Sequence, residues 1–512
     1  NTHIRELVIE HLEKLSSVFN KNILPLMEDK GIKLVSWKDI SKVERESLMD
    51  FFSRNIFPIL TPLAVDSGHP FPFLSNLSKS IGVSLQKPGQ KEKLFARVKV
   101  PSDIPQWLSL SPTEKFPYRF INIEEMIIHN LKTLFPDMEI KGTMVFRVTR
   151  NAGIQNDDED ADNLRELVQE DLKERRFAPI VRLEYQRSGD PWILDFLLDE
   201  LELKEESVYP MDSLPTYSPL SKLYDININS ERYWKYPYRA IQDFQVESGT
   251  EFDIFSVLRK KDVMLHFPFH SFHSSIEHFI ESAADDPKVR AIKVILYRTD
   301  TEGRLINTLI RAAENNKQVA CIIELKARFD EEKNIHWASK LEEMGIHVTY
   351  GILGLKTHAK LVMVVREDHD GIRTYVNIGT GNFNSQTSKL YTDLSLFTCE
   401  KGITTEVIEL FNFLTGRSLK KDYNKLLLAP YTMRDKFNEL IDAEIKMAKN
   451  GNPTLIVAKM NSLEDPEIIE RLYKASQAGV KIDLLVRGFC CLRPGVKGLS
   501  ENIRVYSIVG RL

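Results

Sequence analysis

The sequence predicts an α/β and α+β multidomain chain, in which a mixed α/β region precedes an α/β unit that then begins to repeat itself. Three observations carry this expectation. From about residue 246 the chain alternates near-continuous apolar runs of strand length ("AIKVILYR", "QVACIIELKA") with a helical pattern ("GRLINTLIRAAENNK"), as in a sheet covered on both faces. The stretch "LIRAAENNKQVACIIELKA" then lies over "LYKASQAGVKIDLLVRGF" without a gap, so a strand–helix–strand unit restarts. Finally, 512 residues with 42% hydrophobic content suffice for roughly three or four ordinary cores.

Taken in order, residues 1–31 read as one amphipathic helix ended by Gly31, the remnant of an N-terminal helical domain. Residues 32–245 form a mixed α/β middle domain. In it, "LFARVKVP" and "GTMVFRVTRN" alternate as strands do, and "NDDEDADNLRELVQEDLKERR" carries the i,i+4 charge spacing of a solvated helix. The Pro/Tyr-rich "YPMDSLPTYSPLSKLYD" and "RYWKYPYRA" read as irregular chain leading to a boundary near 245. Residues 246–428 hold the first α/β unit, with a helix at 332–344, strands at "HVTYG", "HAKLVMVV", "TYVNIGTGN" and "DLSLFTC", and a closing helix near 416. Residues 429–512 restart it with "TLIVAKMN", "PEIIERLYKASQAG" and "VKIDLLVRG". The chain opens inside a helical pattern and stops after "NIRVYSIVGRL", which reads as a buried strand, so it is expected to be an internal fragment.

Composition narrows the functional classes. Net charge is −4, from 69 Lys+Arg against 73 Asp+Glu, which argues against a protein coated in nucleic acid while leaving room for a local basic pocket. No stretch approaches the ~18–20 uncharged apolar residues of a transmembrane helix, and no signal peptide opens the chain. Cys321, Cys399, Cys490 and Cys491 lack zinc spacing, and the adjacent pair is ill suited to a disulfide, so a reducing, cytoplasmic setting is expected.

Four short stretches supply groups suited to phosphate. "LYRTD" and "LKARFDEE" end neighbouring strands with Arg298 and Arg328, whose planar forks match phosphate oxygens. "THAKL" places His358 two residues before Lys360, hence on one face if both lie on a strand. "VNIGTGNFN" offers Gly379, Thr380, Gly381 and Asn382, small residues that let backbone N–H groups approach an anion. Taken singly each has a plainer reading: a strand-end arginine is usually a surface ion pair, and a lone histidine is usually structural, as taken for His69, His266, His270, His273, His336 and His347. The "DEE" at 330–332 reads as an acidic first turn of a helix rather than a metal site. In combination they argue for a site handling a polyanion.

The pair HxK followed by GTxN resembles the phospholipase D superfamily signature, HxK(x)4D with a downstream G-[ST]-x-N, except that Val365 stands where the aspartate would be. The longer stretches "ILYRTD", "ELKARFDEEKNIHWA", "GLKTHAKLVMVVR", "YVNIGTGNFNSQTSKLYTDLSLFT" and "LLVRGFCCLRPG" resemble the ATP-dependent long-chain polyphosphate kinase family. So do "FPILTPLAVDSGHPFPFLSNLS" and "VFRVTRNA" in the middle domain. The resemblance covers nearly the whole chain and implies two phospholipase D-like α/β units, the second incomplete. It implies reversible transfer of the ATP γ-phosphate to the end of a polyphosphate chain through a phosphohistidine at His358, with Lys360 beside it. It implies ATP binding by Tyr391 and Arg487, and a magnesium/phosphate site at Arg298 and Arg328, with Mg²⁺ bridged through phosphate because a guanidinium has no lone pair to give a metal. A nucleotide-holding asparagine upstream of Asn1 and a second histidine just after Leu512 would complete the family's set. The partners so implied are ATP/ADP and inorganic polyphosphate, without nucleic acid or a transmembrane segment. Peripheral membrane association stays open, and a homo-oligomer is expected. The alternatives are a phospholipase D-like phosphodiesterase and a non-catalytic polyanion-binding module.

Overall fold

The structure is a computed structural model that describes residues 2–65, 69–151, 164–212, 217–226, 228, 253–297, 303–326, 330–352, 354–416, 418, 420, 422–508, 510 and 512. It divides into two compact units, residues 1–156 with 170–232, and residues 157–169 with 233–512.

The first unit opens with helical chain over Thr2–Val18, Phe19–Ile23 and Leu24–Asp29, stopped by Gly31 at φ +78°, a left-handed position favouring glycine. Its strands are β1 (Ile32–Val35), β2 (Leu63–Val65), β3 (Lys79–Gln86), β4 (Lys93–Lys99), β5 (Trp107–Leu110), β6 (Tyr118–Asn122), β7 (Glu139–Arg150), β8 (Ile180–Gln186) and β9 (Val208–Met211). They form a three-stranded sheet, β1-β6-β5, and a six-stranded sheet, β2-β4-β3-β7-β8-β9. Both faces of the larger sheet are apolar. Ile81, Val83, Ala96, Val98 and Val145 enter one core, while Phe95, Met144, Phe146 and Val148 enter another with Ile193 and Leu197 of the helix Pro191–Glu200. That helix comes so close to β3 that a Cβ on Gly82 would lie 2.8 Å from Ile193. The expected strands "LFARVKVP" and "GTMVFRVTRN" are β4 and β7. The acidic helix is present over Leu164–Phe177, its earlier part lying outside the described residues. "YPM", expected to be irregular, instead lies in β9, held by parallel pairing with β8, which supplies backbone partners that local composition does not reveal. "RYWKYPYRA" and the expected boundary near 245 lie outside the described residues.

The second unit carries both halves of the repeat. The first builds β10 (Val263–Phe267), β11 (Val289–Leu296), β12 (Gln318–Ile323), β13 (His347–Thr349), β14 (Lys360–Asp368), β15 (Gly371–Gly379) and β16 (Asp393–Thr398) into one sheet, ordered β10-β16-β15-β14-β11-β12-β13. Pairing is parallel across β11-β12-β13 and antiparallel elsewhere. The helix Lys401–Gly416 buries Val407, Leu410 and Phe411 against Ile295, Ile322, Leu361, Met363 and Val376. Val365, in place of the motif's aspartate, packs on this same apolar cluster. Two expectations change here. "VMLHF" is a sheet strand not anticipated, because its alternation is short. His358 does not lie on a strand: β14 starts at Lys360, and His358 belongs to the loop before it.

The second half holds β17 (Leu455–Met460), β18 (Lys481–Val486) and β19 (Ile503–Tyr506), all parallel, with helices Met433–Lys449 and Pro466–Gln477. The repeat shows in detail. Gln318 and Lys481, aligned by the sequence overlay, both open the second strand of the unit. The amide of Glu324 donates to Leu296 O at 3.0 Å, and that of Arg487 to Met460 O at 3.1 Å, so these two positions are structurally equivalent. β19 was expected to be buried, but Arg504 and Tyr506 are exposed, since among the described residues β18 is its single strand neighbour.

Candidate active site

The register brings distant sequence to one sheet edge. Lys360 pairs with Gly379 and Gly379 with Ser395, while Val362 pairs with Val294 two residues before the end of β11. The carboxyl ends of β11, β12 and β15 therefore meet the starts of β14 and β16. Ligands of α/β sheets bind at such an edge. His358 and Lys360 on one side and the 379–382 turn on the other, separate stretches of the sequence, are thus neighbours for a reason of topology.

Tyr297, just past β11, organises the cations. Its ring stands edge-on to His358 with centroids 5.7 Å apart, and the ammonium groups of Lys360 and Lys356 lie 5.2 and 5.5 Å from its centroid. Lys360 is only 5% exposed and donates from Nζ to the His358 carbonyl. Its pKa is pushed down to about 8 by burial, with Asp393 opposing the fall. His358 has an exposed surface, yet its pKa is lowered by partial desolvation and then by Lys360 and Lys356. All three effects favour the neutral imidazole, whose lone pair is free to attack.

The glycine turn is shaped by β16. The Thr380 amide donates to Leu394 O at 2.9 Å, the Leu394 amide donates to Thr380 Oγ1 at 3.0 Å, and Thr380 Oγ1 donates to Asp393 Oδ1 at 2.8 Å. A Cβ on Gly381 would come within 2.5 Å of the Asp393 carboxylate, so this approach requires glycine. The Oδ1 atoms of Asn382 and Asn377 are buried and lack a hydrogen-bond partner among the described groups. Asn377 is fully buried, its Nδ2 donating to Ser395 Oγ at 2.7 Å.

Tyr391 and Arg487, nearly a hundred residues apart, also meet: the guanidinium carbon lies 5.6 Å from the ring centroid, and both residues are exposed. Lys459 Nζ donates to Thr392 Oγ1 beside them at 2.5 Å. Arg298 and Arg328 lie outside the described residues; the chain reaches them directly from Tyr297 and from Lys326 after β12. Sequence reasoning missed Tyr297, Lys356, Glu324, Asp393 and Asn377. The legible signals were polar residues inside apolar runs, Glu324 in "CIIELKA" and Asn377 in "YVNIG". Among the described residues no group of three His, Cys, Asp or Glu side chains could hold a metal, and no helix is long and apolar enough to cross a membrane.

Fold and site define an α/β protein whose cation-rich sheet edge suits phosphate chemistry. Three family models match in succession: the polyphosphate kinase middle domain over residues 43–223, C-terminal domain 1 over 253–420 and C-terminal domain 2 over 426–512. Polyphosphate kinase of Synechocystis sp. is 46% identical over 97% of this chain and 71% of its own length. That of Thermosynechococcus vestitus is 42% identical over 99% of this chain and 73% of its own. The crystal structure of polyphosphate kinase from Porphyromonas gingivalis superposes with a TM-score of 0.84 at 28% identity, covering 99% of this chain and 74% of that one. The chain belongs to the polyphosphate kinase family. Its activity is ATP:polyphosphate phosphotransfer, with ATP as substrate.

Proposed function

We propose that His358 is the nucleophile of this transfer and passes through a phosphohistidine. The observation that carries the reading is a neutral-leaning imidazole at the open edge of the sheet, next to a buried ammonium and a glycine turn. A ring nitrogen lone pair of His358 forms a bond to the γ-phosphorus, and the bond to the β–γ bridging oxygen breaks, its electron pair leaving with ADP. An oxygen of the terminal polyphosphate residue then attacks the same phosphorus, and the P–N pair returns to the imidazole. Lys360 and Lys356 offset charge repulsion between phosphates, and the turn from Gly379 to Asn382 presents backbone N–H groups to phosphate oxygens. Arg298 and Arg328 are the further phosphate-holding residues of this reading.

Magnesium fits as an ion carried on the substrate phosphates: the described residues offer no three-carboxylate cage, and Mg²⁺ commonly rests on phosphate oxygens and water with one or two carboxylates. When bound, it would neutralise phosphate charge. Tyr391 and Arg487 form the nucleotide-binding pair, the ring offering a face for a base and the guanidinium a fork for phosphate. We further assign a homo-oligomeric, cytoplasmic enzyme that does not use nucleic acid as a substrate, and the domain division at 31, 245 and 428 read from the sequence.

The test is labelling of the full-length protein with γ-labelled ATP. The expected product is a protein-bound phosphate lost in acid, retained in alkali and mapped to the peptide holding His358; a label on serine or aspartate would reject the mechanism. For the nucleotide pair, R487A should raise the KM for ATP by about 10–150-fold, the worth of one charge-assisted contact of about 1.5–3 kcal/mol. Steady-state kinetics with an unchanged KM would place Arg487 outside the nucleotide site.

A further inference from the structure

We propose that Glu324 is a positioning residue for phosphohistidine formation, acting through the backbone that carries His358. The proposal rests on the reading of His358 as nucleophile. Glu324 is 4% exposed at the end of β12, and its carboxylate accepts from the Thr357 amide at 2.6 Å and from the Lys326 amide at 2.9 Å. One side chain therefore ties the residue immediately before His358 to the chain that runs on to Arg328. Asn334, 2% exposed on the helix Glu331–Glu343, extends the same clamp. Its Nδ2 donates to Tyr297 O and to Glu324 O, both at 2.9 Å, fastening the ends of β11 and β12 to each other. Lys356 Nζ adds a bond to Lys326 O at 2.8 Å. Three chain segments that carry the catalytic groups are thus joined through two buried polar side chains.

The geometry is specific to this half of the repeat. The equivalent position in the second half is Arg487, which is exposed and faces Tyr391 instead. A buried carboxylate is costly to keep in a fold, and a position whose duplicate tolerates an exposed arginine does not need one for strand pairing. What the carboxylate adds in the first half is the hold on Thr357. The loop there is tight: Gly351, at φ +73°, sits so that a Cβ would lie 2.8 Å from Thr357 Oγ1. In phosphoryl transfer, positioning supplies much of the rate, and a displacement of about 1 Å can cost about 100-fold.

The experiment uses the full chain with E324Q, which keeps the shape but turns one accepting oxygen into a donor, and N334D, which deletes both donated bonds. Single-turnover phosphorylation by labelled ATP should slow about 10–100-fold in E324Q. ATP affinity, measured in the H358A background with and without E324Q, should change by less than about threefold, and thermal melting should stay cooperative. A wild-type phosphorylation rate in folded E324Q and N334D overturns the proposal. So does a loss of ATP affinity as large as the loss of rate, which would make Glu324 a general structural residue. If E324Q does not fold, N334D decides alone, and failure of both to fold also overturns it. Wild-type label found away from His358 would instead bring down the nucleophile assignment, so the two failures are distinguishable.

Discussion

H358A should eliminate the phosphoenzyme and lower both ATP-driven polyphosphate synthesis and the reverse reaction, by roughly 10⁴-fold or more, the scale of loss seen when a covalent nucleophile is removed. Both directions fall together because the same P–N bond is made from ATP in one and from polyphosphate in the other. The fold should survive, since His358 is exposed in a loop and its ring contact is an edge-on one with Tyr297. Binding of ATP should persist, because the proposed nucleotide pair Tyr391–Arg487 is untouched. Turnover in either direction within tenfold of wild type would remove His358 from the mechanism. The pH profile carries a second mark of this residue. Its lowered pKa keeps the imidazole neutral further into the acid range, so the acid limb of phosphoenzyme formation should lie below that of an ordinary histidine. K360M should move this limb upward by removing one of the charges that depress it.

K360M should itself reduce turnover by about 10–150-fold, with most of the loss in phosphoryl transfer rather than in folding. The ammonium is buried beside His358 and Tyr297, where a charge placed against developing phosphate charge is worth more than at the surface. Because its pKa is pushed down to about 8, the wild-type rate should decline as pH rises through that value, and K360M should lack this alkaline limb. The stability consequence has the opposite sign. Between about 8 and the ordinary lysine value of 10.5 the unfolded chain binds more protons than the folded one, so this group makes the protein more stable as pH rises across that window. Methionine keeps the stem volume and removes the buried charge, so K360M should melt no lower than wild type. A folded variant with wild-type rate and an intact alkaline limb would show that the ammonium does not act in transfer.

Much of the fold was legible because local chemistry and final structure agree. Apolar runs such as "AIKVIL" and "QVACII" lie in strands with both faces covered, and their burial needs no information beyond the run itself. The elements misread were those whose backbone partners come from elsewhere. β9 exists because β8 offers its edge, and β10 because β16 pairs with it from Phe267↔Asp393 to Val263↔Phe397. The strand-like reading of His358 failed for a related reason: among the described residues its backbone has no ladder partner, and the Thr357 amide before it is taken by the side chain of Glu324.

The sequence by itself determined the chemistry available to this protein: His358 two positions before Lys360, the glycine turn at 379–382, and the duplication that aligns Gln318 with Lys481. These are properties of residue type and spacing, which a linear string records. Only the tertiary structure decided which groups meet. Mixed strand directions fold the ends of β11, β12 and β15 onto the starts of β14 and β16, set two ammonium groups near the Tyr297 ring, bring Gly381 against Asp393 and tie Glu324 to the Thr357 amide just before His358. Electrostatic shifts and hydrogen bonds depend on distance and desolvation. Those are fixed by sheet register across widely separated residues, so no local reading of the chain contains them.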